Sequence, residues 1–281
     1  MRRTPLQSTL LYFAVLVFAA SVLLPVAWMV VSSVMPANEL TLRPLRWWPQ
    51  HPDWSRYSVL LTFGENTPGQ TFLFALRNSA VVALTTTLLA LLVGIPAAYA
   101  LSRFPRGKGW LLSAVISTYM LPPVALLLPL YQLLSRLHLL NTVWGLILVY
   151  CCIIMPFSTW LLKANFDGVP QEIEESGLVD GLSRFGVMVR VTVPLALPAL
   201  VTTAIFSILL AWDEFFFALL FTNGLAAKTL PVAISDFTAG RATDYGLIMT
   251  AGVLAALPPV LIAVVLQRGL MAGLTSGGVK G

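Results

Sequence analysis

Charge is scarce in this sequence: only 10% of its 281 residues are Asp, Glu, Lys or Arg. A typical soluble domain carries roughly 25%. A water-soluble globule of this length must cover its surface with polar side chains, so the shortage excludes one. Cysteine and histidine are scarcer still, with two of each. Cys151 and Cys152 are adjacent inside an apolar run, which offers neither a disulfide framework nor metal-ligand spacing. His51 and His138 are isolated. No metal site is expected.

What is abundant is apolar side chain. The hydrophobic fraction is 58% and the mean hydropathy is +0.85. A bilayer core about 30 Å thick needs about 20 mainly apolar residues in a spanning helix. That rule predicts about six spans: Thr9–Val34, Phe74–Leu101, Trp110–Leu134, Thr142–Leu162, Leu195–Phe221 and Tyr245–Gln267. The runs are unbroken and lack the alternation of outer-membrane strands, so an all-α integral membrane protein in contact with lipid is expected. The net charge of +5 does not imply nucleic acid, because the basic residues form no stripe interleaved with aromatics. They punctuate the apolar runs instead.

Their placement predicts an orientation. Arg103, Arg106 and Lys108 crowd the short segment Ser102–Gly109, and Lys163, Arg184 and Arg190 fall in the segment Lys163–Pro194. The positive-inside rule then puts both segments in the cytoplasm. Arg2 and Arg3 precede a run longer than the 7–15 apolar residues of a signal peptide, so a retained first span is expected. Six spans place both termini inside. The loop after the first span carries Arg43, Arg46, Arg56 and Arg77, which weakens the contrast. Its Trp47, Trp48, Trp54 and Tyr57 suit either a membrane-surface anchor or a partner-docking surface. Prolines inside the spans, among them Pro25, Pro96, Pro122, Pro123, Pro129, Pro156, Pro198, Pro258 and Pro259, remove backbone hydrogen bonds and are expected to kink helices.

The segment Asn165–Pro194 is unlike the rest. Asp167 and Pro170 are placed to start a helix, and Glu172, Glu174 and Glu175 favour its N-terminal half through the helix dipole. Gly181 is placed to end it in a left-handed conformation, and Ser183 to cap a second short helix. The residues alone therefore predict two short helices bent at a glycine, an elbow lying near the membrane between two spans.

Glu175-Ser176-Gly177, Asp180-Gly181 and Val191-Thr192-Val193-Pro194 resemble the EAA motif of ABC-importer permeases. The spacing is intact, with Ser176 and Gly177 replacing two alanines and Val191 and Val193 replacing isoleucine and leucine. Further segments resemble the maltose-type sugar permeases: Asn78-Ser79, Ala97 to Phe104, Leu128-Pro129-Leu130-Tyr131, Pro156-Phe157, Ala211 to Phe215, Lys228-Thr229-Leu230-Pro231 and the tail from Gln267 to Gly281. The resemblance implies a single permease domain over residues 1–281, with residues 163–194 as its cytoplasmic coupling loop. It implies that Glu175, Ser176, Gly177, Asp180, Gly181, Val191 and Pro194 engage an ATP-binding subunit pair. It implies a second homologous permease, an extracytoplasmic solute-binding protein, a sugar-type solute and a bacterial or archaeal inner membrane. No cofactor belongs to this chain on that reading, since ATP and magnesium would sit on the partners.

Asp213 and Glu214, in the fifth span, are candidate pathway residues because intramembrane acids are expensive. The family usually has Asn where Asp213 stands. A phosphate-cradling G-x-x-x-x-G-K-[ST] loop is required for ATP hydrolysis, and Gly224 to Lys228-Thr229 imitates only part of one. Two other readings place distinct demands on the sequence. A self-powered secondary transporter needs a mid-membrane carboxylate cluster, and a membrane-embedded enzyme needs convergent ligands or a nucleophile. Neither pattern is visible.

Overall fold

The structure is a computed structural model that describes residues 5–44, 46–103, 109–238 and 244–276. Phe104, Arg106, Lys108, the side chains of Gln267 and Arg268, and the last five residues of the tail lie outside the described residues. Every regular element described is helical. Among the described residues four helices are long and apolar enough to cross a membrane: α1 (Pro5–Ser33), α4 (Pro68–Arg103), α7 (Val143–Phe166) and α14 (Tyr245–Ser276). Two bent pairs raise the number to six if each counts as one span.

The first bent pair corrects the expected third span. Helices α5 (Gly109–Tyr119) and α6 (Pro123–Arg136) meet at 88°. Pro122 adopts an extended conformation before Pro123 opens α6, which fits the restriction a proline places on the residue before it. The second bend falls where the fifth span was expected to begin. The chain turns by 80° before α11 (Leu197–Trp212), which breaks again at Asp213–Phe215 ahead of α12 (Phe216–Phe221). Prolines thus act by position. Pro123 and Pro198 sit in first turns, where the missing N–H costs nothing. Pro25, Pro96, Pro129, Pro156, Pro258 and Pro259 are carried within continuous helices.

The chain divides into two compact units. One comprises residues 1–73 and 233–257. In it the loop after α1 forms α2 (Ala37–Leu40) and α3 (Ser55–Leu61), and Trp47 stacks edge-on against Trp28 of α1. Arg56 is buried, donates to the Met35 carbonyl at 2.7 Å and pairs with Asp244 at 3.3 Å. Arg56 is therefore neutralised within the fold, and Arg77 lies on α4, so the apparent positive charge of that loop shrinks. Trp47, Trp48 and Trp54 remain exposed.

The other unit comprises residues 74–232 and 258–281. Its centre is α7, against which α5, α11 and α12 pack. Ser158 of α7 and Ser207 of α11 share a buried hydrogen bond of 3.0 Å, the polar contact that apolar helices use in place of water. Asn78 donates to the carbonyls of Leu225 and Lys228, and Ser79 accepts from the Leu230 amide, fastening the segment ahead of α13 (Leu230–Asp236). Asn141 accepts from the Asn223 and Gly224 amides at 3.2 and 3.1 Å. The partial phosphate-loop pattern at Gly224–Thr229 is thus a clamped turn.

Candidate functional site

The elbow follows α7. Asp167 does not start the next helix, as its position suggested. It ends α7, taking hydrogen bonds from Ser102 Oγ at 2.6 Å and Lys163 Nζ at 2.6 Å. Pro170 stands at the N-cap of α8 (Gln171–Val179) with no side-chain cap. Glu172 and Glu174 occupy the first turn, where acids favour the helix dipole.

Gly181 has φ +88°. The Leu182 amide donates to the Gly177 carbonyl at 3.0 Å and the Gly181 amide to the Leu178 carbonyl at 3.1 Å. That pair of bonds is a Schellman motif, and the left-handed residue it requires is the one glycine tolerates best. Ser183 then accepts from the Gly186 amide at 3.1 Å and caps α9 (Arg184–Val187), as expected. A single π-helical turn, Met188–Thr192, leads to α10 (Val193–Leu195), which contains Pro194. Below the elbow, Ala98, Tyr99, Leu162, Phe166, Met188 and Ala196 form an apolar core that joins it to α4 and α7.

On top of that core sits an ion pair. Arg103 Nε donates to Glu174 Oε2 and Nη2 to Oε1, both at 2.8 Å. Only 6% and 7% of the two side chains is exposed. Thr192 Oγ1 donates to Glu174 Oε1 at 2.7 Å, and the Tyr99 hydroxyl to Oε2 at 3.3 Å. Arg103 also donates to the Phe166 and Val169 carbonyls. Burial pushes the Glu174 carboxyl upward, but the hydrogen bonds from Arg103, Thr192 and Tyr99 together with the Arg103 charge hold it below the usual carboxylate range.

The candidate residues are distributed unevenly. Glu175, Ser176, Asp180, Gly181 and Pro194 are exposed, Val191 is half-buried and Gly177 is buried. A methyl group at Gly177 would lie 3.4–3.5 Å from Val187, Leu182 and Val191, so this glycine serves packing inside the elbow. Around the exposed polar residues stand Ile173, Leu178, Val179, Phe185 and Val189; Val179 is 87% exposed and Phe185 71%. Asp213 and Glu214 lie at the far end of α11, about 24 Å of helix away from the elbow. Glu214 accepts from the Phe217 and Ala218 amides at 2.8 and 3.1 Å, so its carboxylate caps α12. Asp213 is exposed at the end of α11. Among the described residues no three His, Cys, Asp or Glu gather as a metal site.

The fold and the elbow define a multi-pass helical membrane protein with a short, apolar-edged double helix displayed between two spans. Residues 90–275 match the family described as binding-protein-dependent transport system inner membrane component, and the chain belongs to that family of transport permeases. It is 36% identical to the sulfoquinovosyl glycerol transport system permease protein SmoH of Agrobacterium fabrum, over 94% of this chain and 92% of that one. It is 34% identical to the trehalose transport system permease protein SugB of Mycobacterium tuberculosis, over 96% and 97%. In fold it resembles a chain from a bacterial ABC transporter that imports the acidic polysaccharide alginate, with a TM-score of 0.77 at 20% identity over 95% of this chain and 99% of that one.

Proposed function

We propose that this permease is the pathway-forming subunit of an ATP-driven importer for a sugar or sugar derivative. On this reading the elbow faces the cytoplasm and seats on a separate ATP-binding subunit, with both termini on that side. Glu175, Ser176, Gly177, Asp180, Gly181, Val191 and Pro194 make or shape the contact. A second homologous permease and an extracytoplasmic binding protein complete the assembly. ATP and magnesium belong to the partner subunits, and this chain contributes no cofactor of its own. Asp213 and Glu214 stand near the opposite end of the pathway.

The observation that carries this reading is the elbow. Its helix–Schellman–helix geometry displays Ile173, Val179 and Phe185 outward with acids at the rim. Large apolar side chains held in a polar segment mark a protein contact more readily than a solvated loop. The sugar class rests on relatives whose names specify sulfoquinovosyl glycerol, trehalose and maltose.

The test is uptake by vesicles reconstituted with the whole assembly, using labelled trehalose, maltose and sulfoquinovosyl glycerol as probes. Uptake of at least one that requires internal ATP and survives collapse of the membrane potential supports the reading. Uptake that follows the potential and ignores ATP would support a secondary transporter instead. Cysteine at Ser183 should be labelled only from the inner face, and cysteine at Asp53 or Ala226 only from outside.

A further inference from the structure

We propose that Arg103 and Glu174 are positioning residues that make the elbow and the adjoining end of α4 move as one piece. The inference rests on the reading of the elbow as the ATPase contact.

Of the nine residues of α8, only Glu174 and Gly177 are buried. Gly177 packs within the elbow, against Leu182, Val187 and Val191. Glu174 is therefore the buried side chain through which α8 reaches a span. It meets Arg103 and Tyr99 of α4 on one side and Thr192 of the π-helical turn on the other. Arg103 in turn holds the Phe166 and Val169 carbonyls, where α7 hands over to the elbow. Three segments thus converge on one carboxylate–guanidinium fork.

An ion pair is a costly way to hold helices together, because removing both charges from water offsets much of the attraction. Apolar adhesion is already present in the Tyr99–Phe166–Met188 core directly beneath. What the core lacks is direction: dispersion contacts permit helices to roll or slide. The bidentate fork fixes the angle between the planes of the two groups as well as their distance. Displacement of α8 by a partner is then delivered to α4 as a rotation and shift of the whole helix end, instead of being absorbed at the joint.

The test uses spin labels on cysteines placed at the exposed positions Val179 and Leu92, in the full assembly purified with its ATP-binding subunits. Distances are compared without nucleotide and after trapping with magnesium, ATP and vanadate. The expected result for the wild-type pair is one distance peak that stays put on trapping. Arg103→Met combined with Glu174→Leu removes both charges and so leaves neither charge unpaired. On trapping, its peak should shift by about one helical turn, ~5 Å, or broaden by as much. Arg103→Lys keeps the charge but loses the planar fork, and should shift in the same direction by less. A merely structural role would lower the yield of assembly and leave the peak where it is. A wild-type peak that moves on trapping, or charge-free and lysine variants that behave as wild type, would overturn the proposal. Should no ATP-binding subunit copurify with the wild-type chain, the underlying reading fails and takes this inference with it.

Discussion

Thr192 and Glu174 stand on opposite arms of the elbow and meet through a 2.7 Å hydrogen bond, Thr192 Oγ1 donating to Glu174 Oε1. The two residues are 18 positions apart. The π-helical turn Met188–Thr192 accommodates one extra residue relative to an α-helical turn, and Thr192, its last residue, is fully buried there. The contact ties a sequence feature with no α-helical register to the most enclosed acid of the elbow.

Removing the acid should therefore be far worse than removing the hydroxyl. Glu174→Ala leaves Arg103 buried and unpaired, a situation that costs about 3–5 kcal/mol. Thr192→Val takes away one hydrogen bond to a charged group, worth ~1.5–3 kcal/mol. Thermal unfolding of the purified chain in detergent, followed for both variants, checks the order. A Glu174→Ala midpoint at or above that of Thr192→Val would contradict the geometry.

The same carboxylate predicts a pH response. In the fold this carboxyl is held below the usual glutamate range, so Glu174 contributes stability that is fully present above the unfolded pKa of about 4.3. That contribution is lost as pH falls through the lower folded value. Thermal midpoints measured from pH 7 down to pH 3 should fall less steeply for Glu174→Gln than for wild type over the acidic end alone. Parallel curves throughout would mean that Glu174 titrates alike in both states.

Gly177 offers a contrast between two sizes of side chain. Alanine adds a methyl at ordinary contact distance, 3.4–3.5 Å from three aliphatic neighbours, and relieves a helix of glycine, a gain of about 0.5–1 kcal/mol. Leucine overfills the same space, at a cost of ~1–3 kcal/mol. The resemblance to known permeases implies that Gly177 engages a partner; the fold turns it toward Val187, Leu182 and Val191 inside the elbow. Gly177→Leu should accordingly lower the thermal midpoint of the isolated chain, whereas a change seen only when the partner is bound would favour the surface role.

Much of the elbow is legible in the sequence because its signals are local. Gly181 and Ser183 read correctly since a left-handed turn and an N-cap depend on a few adjacent residues. Asp167 was misread for the same reason: its partners, Ser102 and Lys163, include one from another helix, and a capping rule sees only neighbours. Glu174 looked like one of three equivalent acids, and nothing in the spacing of Glu172, Glu174 and Glu175 reveals that Arg103, 71 residues away, selects the middle one. Pro122 and Pro123 announced a kink in the third span, but hydropathy counts apolar residues and ignores direction, so neither the size of that bend nor the break in the fifth span was legible. The 88° turn at Pro122–Pro123 and the break at Asp213–Phe215 preserve composition while dividing the helix. Glu214 drew attention as an intramembrane acid, but its two oxygens are occupied by the amides of Phe217 and Ala218.

The measurement that bears most directly on the central claim is the ratio of solute uptake to ATP hydrolysis in vesicles carrying Gly181→Val. Gly181 has open space around the position of a Cβ, so valine there acts through the backbone: φ +88° is a genuine outlier for a β-branched residue. The bend between α8 and α9 must change while the spans are left alone. Gly181→Val should give a chain that inserts and copurifies with its partners, hydrolyses ATP, and moves solute at least tenfold less per ATP than wild type. A wild-type ratio from Gly181→Val would contradict this and reduce the elbow to a turn at the membrane surface.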